Sequence, residues 1–271
     1  IGNYEKAGKA PLLLSGEQSF SKKGSCEYQD LEYPDDCIVD FDMRLIDLFK
    51  EIDKKKLTLK MQIRQEYYRV KELLDGKRPS RMDLFTYMDD EIYRICVSGS
   101  HAKENPFQHY LDFLYELGEL SEDEQELYAG IGREFIQTIE TTEMQKVYKM
   151  PILYSFYNHR NIRLAVTDEE VLESWKEFFD TGTNWKDFPN VNTYEDYKKV
   201  TDKQHLSKAK RMPIRFLKAS GKGFFVEKDG YALALRDEIG DVVGNMAFGE
   251  QMGDVLGYRS LEYYRRRYEK I

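Results

Sequence analysis

The chain has 271 residues, 41% of them hydrophobic and 33% charged, with 41 Lys and Arg against 49 Asp and Glu and a formal net charge of −8. That supplies apolar material for a core and more length than one core usually takes, so two domains are expected, while the negative total excludes a surface coated in phosphate-binding charge. No run of about 18 apolar residues offers a transmembrane helix, no basic-then-apolar opening suggests a signal peptide, and Cys26, Cys37 and Cys96, lacking any C-x-x-C spacing, point to a reducing, cytoplasmic setting rather than a disulfide framework or zinc site.

Residues 1–39 read as two short strands and loops. A helix is expected from about Asp40, with Leu45, Ile46, Leu48, Phe49 and Ile52 as its apolar positions. A stronger one follows over 57–75, where Ile63, Tyr67, Val70 and Leu74 recur at helical period. Asp75-Gly76 closes it, since Gly readily takes the left-handed conformation after a helix. Ser80 with Asp83 three residues on resembles a capping box ahead of Leu84, Phe85, Met88 and Ile92. Further helices are expected over 106–118 and 121–143, the second opened by Ser121 and Glu124. Residues 40–145 therefore read as an all-helical domain.

Beyond Met150-Pro151 the pattern changes. Ile162–Val166 alternates like a strand, and Thr167 to Glu170 caps a helix bearing Val171, Leu172, Trp175, Phe178 and Phe179. Residues 180–195 are loop-like. A basic helix is expected over 203–219, kinked at Pro213. Two apolar runs, Phe224–Val226 and Tyr231–Leu235, flank Asp229-Gly230, which is a hairpin signal. The C-terminal stretch, with Tyr258, Arg259 and Tyr263 to Tyr268, reads as a basic helix. The fold class is thus mainly α: a helical domain with a helix-turn-helix-like hairpin, then a winged-helix-like α+β domain over 146–271. Lys149-Met150-Pro151-Ile152 and Arg211-Met212-Pro213-Ile214 echo one another 62 residues apart, suggesting a tandem of related units at 149–200 and 211–271.

Charge is segregated. From Lys203 to Val226 there are seven Lys or Arg and no acid, leaving −15 on the rest once those seven positive charges are taken from the −8 total. Lys208, Lys210, Arg211, Arg215, Lys218 and Lys222 are the candidate DNA-backbone contacts, on a helix and an adjoining wing. A second candidate is the helical hairpin turning at Asp75-Gly76. It would present Lys77, Arg78, Ser80 and Arg81 at a helix N-terminus, where free N–H groups and the helix dipole favour a phosphate. The plain alternative for both is a solvated or protein-facing basic surface.

Enzymatic motifs are scarce. There is no G-x-x-x-x-G-K-[ST] phosphate loop, no G-x-S-x-G elbow and no H-E-x-x-H pair. His101, His109, His159 and His205 stand in no metal-ligand spacing. Pro34-Asp35 with Asp53-Lys54-Lys55 formally fits a P-D…D-x-K nuclease pattern, but that pattern wants a strand where 40–54 reads as a helix. The chain is therefore expected to be non-catalytic, with no catalytic residue, metal ligand or cofactor of its own.

Several blocks carry a family resemblance: Ile1–Ala7 with Pro11–Glu17, Cys37–Phe49, Gly76–Leu84, Met150–Leu153 and Pro213–Leu217. Together they resemble the region that follows the second motor domain in bacterial DEAD/DEAH-type superfamily 2 DNA helicases, some fused to a phospholipase-D-like nuclease in restriction or phage-defence enzymes. The resemblance implies that 1–39 is the end of the second motor domain and its linker, and that ATP and Mg²⁺ belong to the absent motor. Its implied partners are DNA and the motor or nuclease domains, with no membrane. The rival expectation is a structural module that docks on those domains without touching DNA.

Overall fold

The computed structural model describes residues 57–269. The chain divides into two compact units, 1–65 and 66–271. Of the first, only 57–65 is described, where the Thr58 hydroxyl accepts from the Met61 N–H at 3.3 Å at the start of helix α1 (Leu59–Leu73). The expected strands of 1–39, the helix from Asp40, and Asp35, Asp53, Lys55, Cys26 and Cys37 lie outside the described residues.

The second unit is mainly helical. After α1 the chain reverses through Asp75 (φ 55°) and Gly76 (φ 79°), so two successive residues, not one, take the left-handed conformation. The Gly76 N–H returns to the Lys71 carbonyl at 2.9 Å. Helix α2 (Arg81–Tyr87) opens on the Ser80–Asp83 capping box, and α3 (Asp90–Val97) on Asp89, whose carboxylate accepts from two backbone N–H groups. Helix α4 (Tyr110–Leu117) ends at Gly118 with φ 70°. The stretch expected as one helix over 121–143 is two: α5 (Glu122–Ala129), opened by the Ser121–Glu124 box, and α6 (Ile131–Thr141). Gly130 between them is extended. A Cβ on Gly132 would sit 2.1 Å from Leu127 Cδ1, so the corner is packed too tightly for a side chain there.

Helix α7 (Lys149–Phe156) leads into a small hairpin, β1 (Tyr157–Asn158) and β2 (Asn161–Ile162), turning on His159 and Arg160 at positive φ. Next come β3 (Ala165–Val166) and α8 (Asp168–Asp180), with the Thr167–Glu170 capping box formed. A 3₁₀ turn at Asn184–Asp187 and a short α9 (Tyr194–Lys198) fill the stretch read as loop. Then follow α10 (Asp202–Ala209), a π-helical turn (Lys210–Ile214), α11 (Arg215–Ser220), β4 (Phe225–Val226), β5 (Leu233–Leu235) and the long α12 (Met246–Glu269). The sheet runs β3-β5-β4, all antiparallel, with Val166 opposite Leu233 and Phe225 opposite Leu235.

One core serves residues from Leu111 to Tyr263. Phe135 of α6 meets Phe224 and Phe248 edge to face at 5.3 and 5.6 Å, fastening α6 to the sheet and α12. Across the expected boundary at 145/146 the helices before it and the sheet after it share buried residues, and β3, from 149–200, pairs with β5, from 211–271. Helix α12 approaches its neighbours through glycines. A Cβ at Gly249 would lie 1.8 Å from the Arg160 carbonyl oxygen, and one at Gly253 2.6 Å from the Tyr157 hydroxyl, so the β1–β2 hairpin rests directly on helix backbone.

Candidate nucleic-acid interface

The α10–α11 segment faces both ways. His205, Ala209, Pro213, Ile214 and Leu217 point inward and are buried. Their spacing of about four, stretched by one at the π turn, turns the basic side chains outward. Pro213 explains the widened turn: it has no N–H to continue the α ladder, and its ring needs room against the preceding turn. Thr201 and Gln204 form a capping box at the start of α10. His205 anchors the helix by packing on Phe188 and Tyr197, ring centroids 4.9 and 5.5 Å away.

The six basic candidates here reach solvent to different degrees. Lys210 pairs with Asp168 at 2.6 Å, and Lys218 pairs with Glu227, whose carboxylate it holds below its ordinary range. Arg211, Arg215 and Lys222 are exposed and have no carboxylate partner among the described residues. Lys208 lies over the Tyr148 ring at 5.2 Å. Its pKa is lowered, first by partial burial and then by the nearby charges of Arg211 and Lys146. Like charges gathered without acids cost the fold something, and an arriving polyanion removes that cost. The turn between β4 and β5 is not itself basic, since Glu227 and Asp229 outnumber Lys228.

Beside this surface lies a groove of about 430 Å³. One wall is the end of α6 and the segment leading to α7, with Thr142, Lys146 and Lys149; the other is Met212, Phe216 and Lys222. The Lys149 ammonium donates to the Thr142 hydroxyl at 2.9 Å and the Ser220 hydroxyl at 3.4 Å. Burial lowers its pKa, with Glu143 opposing that effect. Sequence reasoning passed over Lys146, Tyr148 and Lys149. The available signal was the stretch from Gln145 to Lys149, which has two lysines and a tyrosine and no acid.

The hairpin candidate is placed differently. Lys77 is exposed, but Arg81 is 0% exposed. Its guanidinium donates to Glu140 Oε1 at 3.0 Å, Gln251 Oε1 at 2.7 Å and Asp254 Oδ2 at 2.7 Å, and stacks on Tyr110 with its central carbon 4.4 Å from the ring centroid. Burial works against its charge, and Glu140 and Asp254 more than offset that, keeping it protonated. Arg78 donates to both Glu124 carboxylate oxygens and, at 2.9 Å, to the Glu119 carbonyl. The Ser80 hydroxyl is spent on the capping box. The N–H groups of Arg81 and Met82 donate to Asp254 at 3.0 and 3.3 Å, so the helix end expected to hold a phosphate already holds a carboxylate from α12. Of the expected hairpin contacts, Arg81 is buried and out of reach of DNA, while Arg78 and Ser80 are partly buried with their polar groups paired within the chain.

Among the described residues no three His, Cys, Asp or Glu converge as a metal site. Cys96 is buried, and that burial pushes its thiol up to about 12. No helix among the described residues is long and apolar enough to cross a membrane.

No family model matches the chain, and neither the curated proteins nor the solved structures contain a match to it.

Proposed function

We propose that this chain is a DNA-gripping accessory module that binds the nucleic-acid backbone through Lys208, Arg211, Arg215 and Lys222, with Lys210 and Lys218 joining once released from their acidic partners. The observation that carries the reading is the cluster of Lys146, Lys208 and Arg211 on one face, with Arg211 and Arg215 exposed and without a carboxylate partner among the described residues; the Lys208 pKa is lowered there first by partial burial and then by the charges of Arg211 and Lys146. The order of elements adds support: a helix (α7), the small β1–β2 hairpin, a strand (β3), the helices α8 and α10–α11 with the short α9 between them, then a hairpin whose second strand pairs between the other two. That is the order of a winged helix, with α10–α11 in the recognition position and residues 227–232 as the wing. Placed beside the helicase-like blocks of the sequence, the module would hold DNA for an ATP-driven motor in the same protein.

A second reading, docking on the motor or a nuclease domain, draws on Met212 and Phe216, exposed at 37% and 43% amid the basic residues. Fluorescence anisotropy with short duplex and single-stranded DNA across a salt series separates the two. Binding should weaken steeply with salt, by a slope of about 0.9 per phosphate neutralised. Changing Lys208, Lys210, Arg211 and Arg215 together to Ala should flatten that slope by about 3, while Lys103→Ala, an exposed charge elsewhere, leaves it unchanged. Absence of binding at low salt overturns the DNA reading in favour of docking.

A further inference from the structure

The groove beside the basic helix has a composition that backbone binding does not require. A surface that only neutralises phosphates needs cations on an open face. This one encloses about 430 Å³, within the range of small-molecule sites, and exposes a phenyl ring and a thioether inside a ring of lysines.

We propose that the groove is a pocket for a single nucleotide unit, its base against Phe216 and Met212 and its phosphate held by Lys146, Lys149 and Lys222. The proposal rests on the DNA-binding reading only for the source of that nucleotide: a residue unstacked from a strand, or a free mononucleotide.

Three observations converge on this chemistry. First, Phe216 lies on the outward face of α11, half-exposed, next to Arg215, whose guanidinium carbon is 5.6 Å from the ring centroid. An exposed aromatic beside a cation is how nucleic-acid-binding surfaces stack a base, because every base offers a π face. Second, Lys149 is held from both walls by hydroxyls, not by a carboxylate, so its charge is directed into the groove and still open to an anion. Glu143 is the one carboxylate on the groove lining, against three lysines. Third, the hydroxyls there are supplied as acceptors. Thr138 donates its proton to the Glu134 carbonyl at 2.8 Å, Thr141 to the Gln137 carbonyl at 2.7 Å and Ser220 to the Phe216 carbonyl at 2.7 Å. Their remaining lone pairs match the exocyclic amino groups of adenine, cytosine and guanine. An aliphatic or purely apolar occupant would leave both the lysines and these acceptors unanswered.

The test uses the whole chain and three probes: a single-stranded oligonucleotide carrying one 2-aminopurine, free dAMP, and inorganic phosphate. The expected result is that the 2-aminopurine emission changes on binding. Phe216→Ala should weaken single-strand binding by about 5- to 100-fold while leaving duplex affinity and its salt slope unchanged, and Phe216→Trp should restore it. Circular dichroism of each variant establishes that the exposed substitution leaves the fold intact. Competition by dAMP at concentrations where phosphate has no effect assigns the pocket to free nucleotide as well; no competition confines it to an unstacked base within a strand. If Phe216→Ala and Met212→Ala change neither probe while DNA still binds through the cations, the pocket proposal falls and the DNA reading stands. If phosphate competes as well as dAMP, the base plays no part and the proposal is again overturned. Binding of dAMP through Phe216 with no DNA binding would keep the pocket and sink the DNA reading.

Discussion

Two stretches of this chain look alike in sequence and differ in the folded molecule. Lys77–Arg81 and Lys208–Lys222 are both basic and both adjoin a helix start or turn. In the first, Arg78 and Arg81 turn inward to Glu124, Glu140 and Asp254. In the second, Arg211, Arg215 and Lys222 stay outside without a carboxylate partner among the described residues. The difference lies in what each stretch is packed against. α2 sits under α12, which brings Gln251 and Asp254 to its N-terminus, whereas α10–α11 buries an apolar stripe and His205. A cluster of positive charge in sequence is thus no measure of positive surface until its distant acids are located.

That contrast can be strained at either end. The largest effect is expected from Arg81→Met, which leaves the buried Glu140 and the partly buried Asp254 without their cation and should cost about 3–5 kcal/mol in denaturant unfolding. Lys208→Met, its surface counterpart, should stay within about 0.5 kcal/mol. Equal losses in the two variants would erase the distinction. Asp254→Ala comes next. It removes the acceptor for the first N–H groups of α2 and should cost about 1–3 kcal/mol by the same measurement.

A smaller effect belongs to pH. His205, beneath the basic helix, is buried with Nδ1 unpartnered, and burial lowers its pKa below the ordinary 6.5, with Lys176 acting the same way against Asp202 and Asp180. Between that lowered value and 6.5 the unfolded chain binds a proton that the folded chain refuses. Stability should therefore fall as pH drops below 6.5 and recover as it rises. His205→Gln should flatten that part of the unfolding-versus-pH curve; an unchanged curve would mean that other groups set it. A small effect is also expected from Asp168→Ala. Freeing the exposed Lys210 should change stability by less than about 1 kcal/mol and tighten DNA binding slightly, read by anisotropy.

Local signals were legible in the sequence. The boxes at Ser80, Ser121 and Thr167 all form, and the hairpin flanking Asp229-Gly230 pairs as its two apolar runs require. Signals that depend on packing were not. Gly130 lies within a continuous helical period, so the break between α5 and α6 has no mark in that period. Pro213 announced a kink but not that it would become a π turn. The candidate site was half legible: the outward charges of α10–α11 follow from its apolar stripe, while Lys146 and Lys149 join them only through tertiary contact. Arg81 was misread because its acids lie 59 and 173 positions away, beyond any local pattern.

The bond between Arg81 and Asp254 also sets a schedule for synthesis. At roughly 5–20 residues per second, the ribosome makes Asp254 about 9–35 seconds after Arg81. Through that interval the nascent helical layer carries a guanidinium destined for the interior, with two of its three side-chain acceptors, Gln251 and Asp254, not yet made. The N-terminal layer can gather its apolar contacts early, but it cannot close over that charge until α12 arrives. A ribosome stalled before residue 251 would therefore display a partly built, basic-centred intermediate, a natural target for a chaperone that recognises unfinished cores.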